Sequence, residues 1–307
     1  MDDVVVAITS SRRRRLLWGG WVVFALLLLP AAEGAWYLLA VVAAAALVAL
    51  LPGALERRPR RPDRADLVAI GALYVGVVAL ERVAFVGFTT DHVAGLFLCF
   101  AAALLLGVVG PVVYTVLVRG RPFADLGLRR DNLRVALGFA LVFAGVQYML
   151  TLRGYDLPAA GDWVPLLVMS LVVGVFESVF FRGFVQTRLT AQYGQPAGVL
   201  GAAALYGLYH VGYGMEGVEL LFLTGLGVVY AVAFAVARNL VVLWPLLTPL
   251  GSFYANLEAG DIDLPWASIA GFADVLLLML VALWVTARLQ RRRAERSRQR
   301  SPGGSGP

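Results

Sequence analysis

The sequence contains no lysine, one cysteine and two histidines, and only 15% of its 307 residues are charged. A soluble globular chain usually carries about a quarter charged residues. The single Cys99 excludes an internal disulfide, and in an apolar run it reads as a small core residue. All the basic residues are arginine, which we read as a coding habit and not as a binding feature. The net charge of +6 belongs to a membrane protein's cytoplasmic loops, so no nucleic-acid partner is expected. No internal repeat and no soluble domain is found.

The sequence is rich instead in long apolar stretches, and 60% of the chain is hydrophobic. Runs of about 17 to 22 apolar residues match the hydrocarbon core of a bilayer. They predict an all-α, polytopic transmembrane bundle of about ten spans, near 16–32, 35–51, 67–86, 93–118, 135–152, 164–186, 197–213, 218–237, 240–257 and 267–287. The first run follows Arg12–Arg15 and ends near Ala31–Ala32, as a signal peptide would. A second run follows at once, which favours an uncleaved hairpin.

Arginine clusters at 12–15, 57–64, 119–134 and 288–300 alternate with loops that are acidic or nearly uncharged, around Glu33, Asp91, Asp156 with Asp162, Glu216 with Glu219, and 258–263. The positive-inside rule then puts both termini in the cytoplasm. Trp18, Trp36, Trp163 and Trp266 fall near span ends, as interfacial anchors do. The polar loop Arg119–Leu133 suggests a division into a four-span region (1–118), a cytoplasmic linker (119–134) carrying a short surface helix, a six-span region (135–287) and a disordered Arg-rich cytoplasmic tail (288–307).

Ionisable residues inside a bilayer are costly and usually face a bundle interior, where they pair or act. The candidates are Glu81, Arg82, Glu177, Arg182, His210 and Asp274. Glu177 reads either as a general base or as a structural hydrogen-bonding group between helices. His210 reads as a site residue or as a satisfied core histidine, with Tyr206 four residues earlier on the same helix face. Neighbouring Glu81 and Arg82 point in different directions and should make separate contacts. Asp274 is isolated, and Arg238 reaches lipid headgroups from a span end. His92, beside Asp91, is assigned no role. Pro245 and Pro249 interrupt or restart a helix, with Thr248 as a cap and Pro249 in the first turn. Such breaks at membrane depth line cavities. Ser252 and Asn256 then share one face, where a polar pair would bind a partner helix or a reacting oxygen.

The order of these elements resembles the CPBP intramembrane proteases, the group of the type II CAAX prenyl endopeptidases and bacterial Abi proteins. Glu177-Ser178-Val179-Phe180-Phe181-Arg182 stands where that family has Glu-Glu-x-x-x-Arg. Tyr206 through His210 matches Phe-x-x-x-His, and Ser252 through Asn256 aligns with His-x-x-x-Asn. Leu126-Gly127-Leu128-Arg129, ahead of these motifs, is similar to the family's pattern too. The resemblance covers about residues 120–260 and implies a core of about five helices carrying the motifs.

It also implies a chemistry: an endopeptidase in which Glu177 activates water, His210 holds it, and Asn256, with Ser252, stabilises the oxyanion, Arg182 completing the first motif. The substrate would be a membrane-associated peptide or protein, and membrane lipid is the surrounding partner. A divalent metal is as open as none; Glu177 and His210 are the ligands available, short of the three usual for catalytic zinc. Two departures stand out: Ser178 replaces the second glutamate, the expected partner of Arg182, and Ser252 replaces a histidine. They keep a second reading open, a catalytically inactive scaffold acting as an immunity, chaperone or partner-binding factor. A transporter is a third, which lacks the matching pair of interrupted segments it would need. Counted from the expected cytoplasmic span ends, Glu177 and His210 differ in depth by roughly 7 Å.

Overall fold

The computed structural model describes residues 63–88, 93–259 and 264–299. The apolar runs at 16–32 and 35–51, His92 with Asp91, and residues 300–307 lie outside the described residues. The chain forms helices α1 (Arg64–Phe88), α2 (Ala94–Val118) and α4 (Ala160–Tyr193). The other helices are α3 (Leu133–Thr151), α5 (Gln195–Tyr209), α6 (Val218–Ala237), α7 (Leu247–Ala259) and α8 (Ser268–Gln299). No strand occurs among the described residues. Six helical stretches there are long and apolar enough to cross a membrane, and Leu133–Met149 is a shorter apolar helix. The protein is therefore an all-α membrane bundle, and six spans, not ten, meet this criterion among the described residues.

The apolar pattern placed each of these eight helices, but it misplaced several ends. α4 was expected to stop near 186 and runs 34 residues, to Tyr193. Its last turns carry Gln186, Arg188, Thr190 and Gln192, all buried. Polar side chains ended the hydropathy signal there, while neighbouring helices kept the segment packed. α5 gives way at His210 to a tighter 3₁₀ turn, His210–Tyr213, closed by Gly214 with φ 86°. In the segment after α6, a short 3₁₀ turn Leu240–Val242 precedes α7, with a cis Trp244–Pro245 peptide between them. The expected break is present. α7 starts one residue before Thr248, so Thr248 is inside the helix and not its cap, and its hydroxyl reaches back to the Leu243 carbonyl at 3.4 Å.

Residues 288–299, expected to be disordered, continue α8 as helix. Arginine, glutamine, alanine and glutamate are good helix formers, and the extension is docked. Gln290 donates to the Arg121 carbonyl and Arg293 to the Leu117 carbonyl, each at 3.0 Å. These carbonyls lie at and just beyond the end of α2, where helix groups lack internal partners.

The loop 119–134 contains the expected short helix as a 3₁₀ turn, Phe123–Leu126, ended by Gly127 at φ 74°. It is pinned to the end of α6. Asn239 donates to the Arg129 carbonyl (3.0 Å) and to Asn132 (2.9 Å), Asn132 donates to the Ala237 carbonyl (2.6 Å), and the Leu240 amide donates to the Gly127 carbonyl (2.9 Å). Gly127 leaves room for Phe234, whose ring would lie 2.5 Å from a Cβ placed there.

Close helix approach in membranes depends on small residues, because lipid tails provide no hydrophobic drive for association. The α5–α6 contact shows this: a Cβ on Gly207 would fall 1.9 Å from the Thr224 hydroxyl and 2.8 Å from the Leu220 carbonyl. Gly207→Ala should therefore destabilise the bundle by about 1–3 kcal/mol, as overpacking does. Among the described residues, nothing lies within 4 Å of such a Cβ on Gly145 in α3, so Gly145→Ala should be neutral or stabilising by roughly 0.5–1 kcal/mol. Equilibrium unfolding in detergent checks both signs.

Candidate functional site

Glu177 is the last α-helical residue before a π-helical stretch in α4, Ser178–Gln186. The i→i+5 bonding of a π turn widens the helix. It also brings residue i+5 nearly over residue i, so Glu177 and Arg182 lie closer to one face than α geometry allows. Phe176, Phe180, Phe181 and Phe184 fill the surrounding core and are each at most 1% exposed.

The carboxylate of Glu177 is 6% exposed and is held by two hydroxyls from α5. Tyr209 donates to Oε1 at 2.5 Å and Tyr206 to Oε2 at 3.3 Å. A carboxylate oxygen accepts more than one hydrogen bond, so each oxygen keeps capacity for a water. The Arg182 guanidinium lies 5.0 Å from the centre of the Tyr206 ring. It is 1% exposed, and its terminal nitrogens have no hydrogen-bond partner among the described residues. Tyr206 thus stands between the two charged groups, offering its hydroxyl to one and its face to the other.

His210 follows directly at the end of α5. Its ring centre is 4.0 Å from that of Tyr209 and 5.2 Å from that of Tyr206. Nδ1 lies 2.9 Å from the Tyr206 carbonyl. A carbonyl only accepts, so Nδ1 carries a proton, and in the neutral ring Nε2 presents its lone pair. The roughly 7 Å depth difference expected from the sequence does not separate these groups. Glu177 and His210 flank the same two tyrosines, because α4 extends further than its apolar run and α5 tightens at His210.

The turn carrying His210 is gripped by α1. Arg82 donates to the Val211 carbonyl at 3.0 Å. A Cβ on Gly212 would fall 2.7 Å from Glu81 Cβ, so only glycine permits this approach. Glu81 is fully buried. Glu81 and Arg82 make separate contacts, as adjacent helix positions should, and both are with one turn. Asp274 is exposed on α8.

Ser178 faces α7. Its hydroxyl is 3.4 Å from the Thr248 hydroxyl of α7. Gly174, one turn earlier, brings α7 close: a Cβ there would meet Pro249 at 2.8 Å. Ser252 and Asn256 lie further along α7, half-buried. Asn256 donates to the Ser252 carbonyl at 2.7 Å, with the Ser252 hydroxyl at 3.4 Å. No hydrogen bond joins this pair to Glu177 or His210 among the described residues.

The sequence reading missed Tyr209, although it is the shorter of the two bonds to Glu177. It also passed over Tyr213, whose ring centre is 5.4 Å from His210. The signal was the repeat of tyrosines in Leu205-Tyr206-Gly207-Leu208-Tyr209-His210, since a buried phenol needs a hydrogen-bond partner.

A catalytic zinc would need three protein ligands. Among the described residues no group of three His, Cys, Asp or Glu is placed to hold a metal ion. Glu177 is bonded to tyrosines and His210 is one ring, so this donor set does not fit such a centre.

Because Tyr209 is closer than Tyr206, Tyr209→Phe should cost more stability than Tyr206→Phe, about 1–3 kcal/mol for a buried acceptor losing its donor. Both substitutions keep the ring. Unfolding of the two variants in detergent checks the order.

Residues 159–246 match the family model described as Type II CAAX prenyl endopeptidase Rce1-like. The matched segment holds Glu177, Arg182, Tyr206, Tyr209 and His210, and it stops before Ser252 and Asn256. No curated protein and no solved structure matches the chain. The family model and the motif resemblance thus agree over residues 159–246, the segment that holds the first two motifs.

Proposed function

We propose that the protein is an intramembrane endopeptidase that hydrolyses a peptide bond in a membrane-associated peptide or protein. The observation that carries this reading is the pairing of Glu177 and His210 around Tyr206 and Tyr209, inside the segment that matches the CAAX-protease family.

A water bound between the Glu177 carboxylate and His210 Nε2 donates one hydrogen to each. Glu177 takes a proton from it as general base while the oxygen attacks the scissile carbonyl. The tetrahedral oxyanion then needs donors where its charge develops. The Asn256 amide and the Ser252 hydroxyl are the candidates on α7, and Asn256 must exchange a bond to its own helix for one to the oxyanion. Glu177 returns the proton to the departing amine as the C–N bond breaks. Atoms and charge balance without a covalent enzyme intermediate. Tyr206 and Tyr209 hold the carboxylate in place, and Arg182 supplies compensating positive charge.

The substrate would reach the site from the cytoplasmic side or from lipid, with both termini of a bacterial plasma membrane protein in the cytoplasm. Nothing in these residues selects a prenylated substrate.

Purified protein reconstituted with membrane peptides that co-purify with it provides the test. Glu177→Ala and His210→Ala should each lower cleavage at least a hundredfold, the scale of lost general-base catalysis, while unfolding temperature stays close to that of the unaltered chain. Full biological activity in both variants would contradict the protease reading and favour the inactive scaffold.

A further inference from the structure

α1 lies outside residues 159–246, the segment that matches the family model. It nevertheless reaches the turn that carries His210 at several points. Arg82 donates to the Val211 carbonyl at 3.0 Å. A Cβ on Gly212 would lie 2.7 Å from Glu81 Cβ and 3.2 Å from the Val78 carbonyl. The rings of Phe85 and Tyr213 meet edge to face, 4.5 Å between centres. Earlier along both helices, the Tyr74 hydroxyl donates to the Leu205 carbonyl at 3.1 Å.

The turn decides how the imidazole is held. In a continuing α-helix the His210 amide would bond the Tyr206 carbonyl, four residues back. Here the helix tightens, and that amide turns to the Gly207 carbonyl, three residues back. The Tyr206 carbonyl is left to the ring, and Nδ1 lies 2.9 Å from it. A carbonyl only accepts, so this bond keeps the proton on Nδ1 and leaves Nε2 with its lone pair. Backbone geometry at His210 therefore sets which ring nitrogen can meet a water.

α5 ends at this turn. Carbonyls at a helix C-terminus lack internal partners and carry the negative end of the helix dipole, so a cation is the favoured neighbour there. Within the turn, the Gly214 amide reaches the Val211 carbonyl at 3.1 Å and the Met215 amide reaches the His210 carbonyl at 3.3 Å. Arg82 adds a bond from a charged donor, which is stronger than one between neutral groups. Gly212 lets α1 come close enough to make it.

We propose that Arg82 is a positioning residue for His210: by holding the Val211 carbonyl it keeps the turn tight, and so keeps the ring proton on Nδ1 and the Nε2 lone pair free. It acts through the backbone and not by contact with the reacting atoms. The effect on cleavage rests on the protease reading; the effect on the imidazole does not. α1 is then a working part of the site, although it lies outside the matched segment.

The test uses the full chain in detergent, with isotope-labelled histidine rings read by nitrogen NMR in mildly alkaline buffer, where imidazole is neutral. The sequence has two histidines, so the His210 signals are identified by their loss in His210→Gln. In the unaltered chain Nδ1 should appear protonated and Nε2 bare. Arg82→Met keeps the length of the side chain and removes the donor. It should move both signals toward the mixture of tautomers that a free imidazole shows. Arg82→Lys keeps a cationic donor and should restore the unaltered pattern. Arg82→Gln, with a neutral donor, should give a smaller shift in the same direction and carries the test if Arg82→Met does not fold. Tyr74→Phe removes the α1–α5 bond at Leu205 and should lower the melting temperature without moving these signals. Cleavage by Arg82→Met should fall roughly tenfold to a hundredfold in kcat, the scale of a displaced catalytic group, with KM little changed. Unmoved His210 signals in a folded Arg82→Met protein overturn the proposal, whether or not the chain cleaves peptides. So do signals in Arg82→Lys that match those of Arg82→Met. Absence of cleavage by the unaltered chain counts against the protease reading alone.

Discussion

A carboxylate buried in a membrane bundle must be met by donors that the bundle itself supplies. Glu177 meets this constraint through Tyr206 and Tyr209, and the surrounding architecture follows from it. Both phenols must reach the same side chain, so α5 has to lie against α4 at that level. Their spacing of three residues places them on one face of α5, which then tightens so that His210 joins them. The π-helical stretch after Glu177 widens α4 at the point where bulky phenylalanines and Arg182 must share space with it.

The contacts around this pair show how the position is maintained. α1 holds the His210 turn through the Arg82 bond to Val211 and the close approach of Glu81 to Gly212. α7 approaches through Gly174 and Pro249, where the Ser178 and Thr248 hydroxyls meet. The Arg182 terminal nitrogens have no hydrogen-bonding carboxylate among the described residues. The arginine's charge is met by the Tyr206 ring and, through that residue, by Glu177.

Much of this was legible in the sequence. Apolar runs located the eight described helices, the first two motifs singled out Glu177, Arg182 and His210, and the third singled out Ser252 and Asn256, which bond to each other and not to Glu177 or His210. Hydropathy failed where polar residues are buried by neighbours. Arg188 and Gln192 looked like the end of a span, but they pack inside the bundle, and the helix continues. Residues 288–299 looked disordered because composition cannot show that Gln290 and Arg293 find carbonyls at the end of α2. Tyr209 was overlooked because the motif's own spacing led to Tyr206. Which phenol takes the shorter bond depends on helix rotation, which one sequence does not encode in a readable way.

The claim that matters most is that Glu177 works together with the tyrosine that holds it. A double-mutant cycle on peptide cleavage in reconstituted membranes measures this, using Glu177→Gln, Tyr209→Phe and the combined protein. If the tyrosine acts through the carboxylate, the double variant is no slower than Glu177→Gln alone, so the two effects are strongly non-additive. Losses that multiply independently, or full activity in Glu177→Gln, would contradict the account.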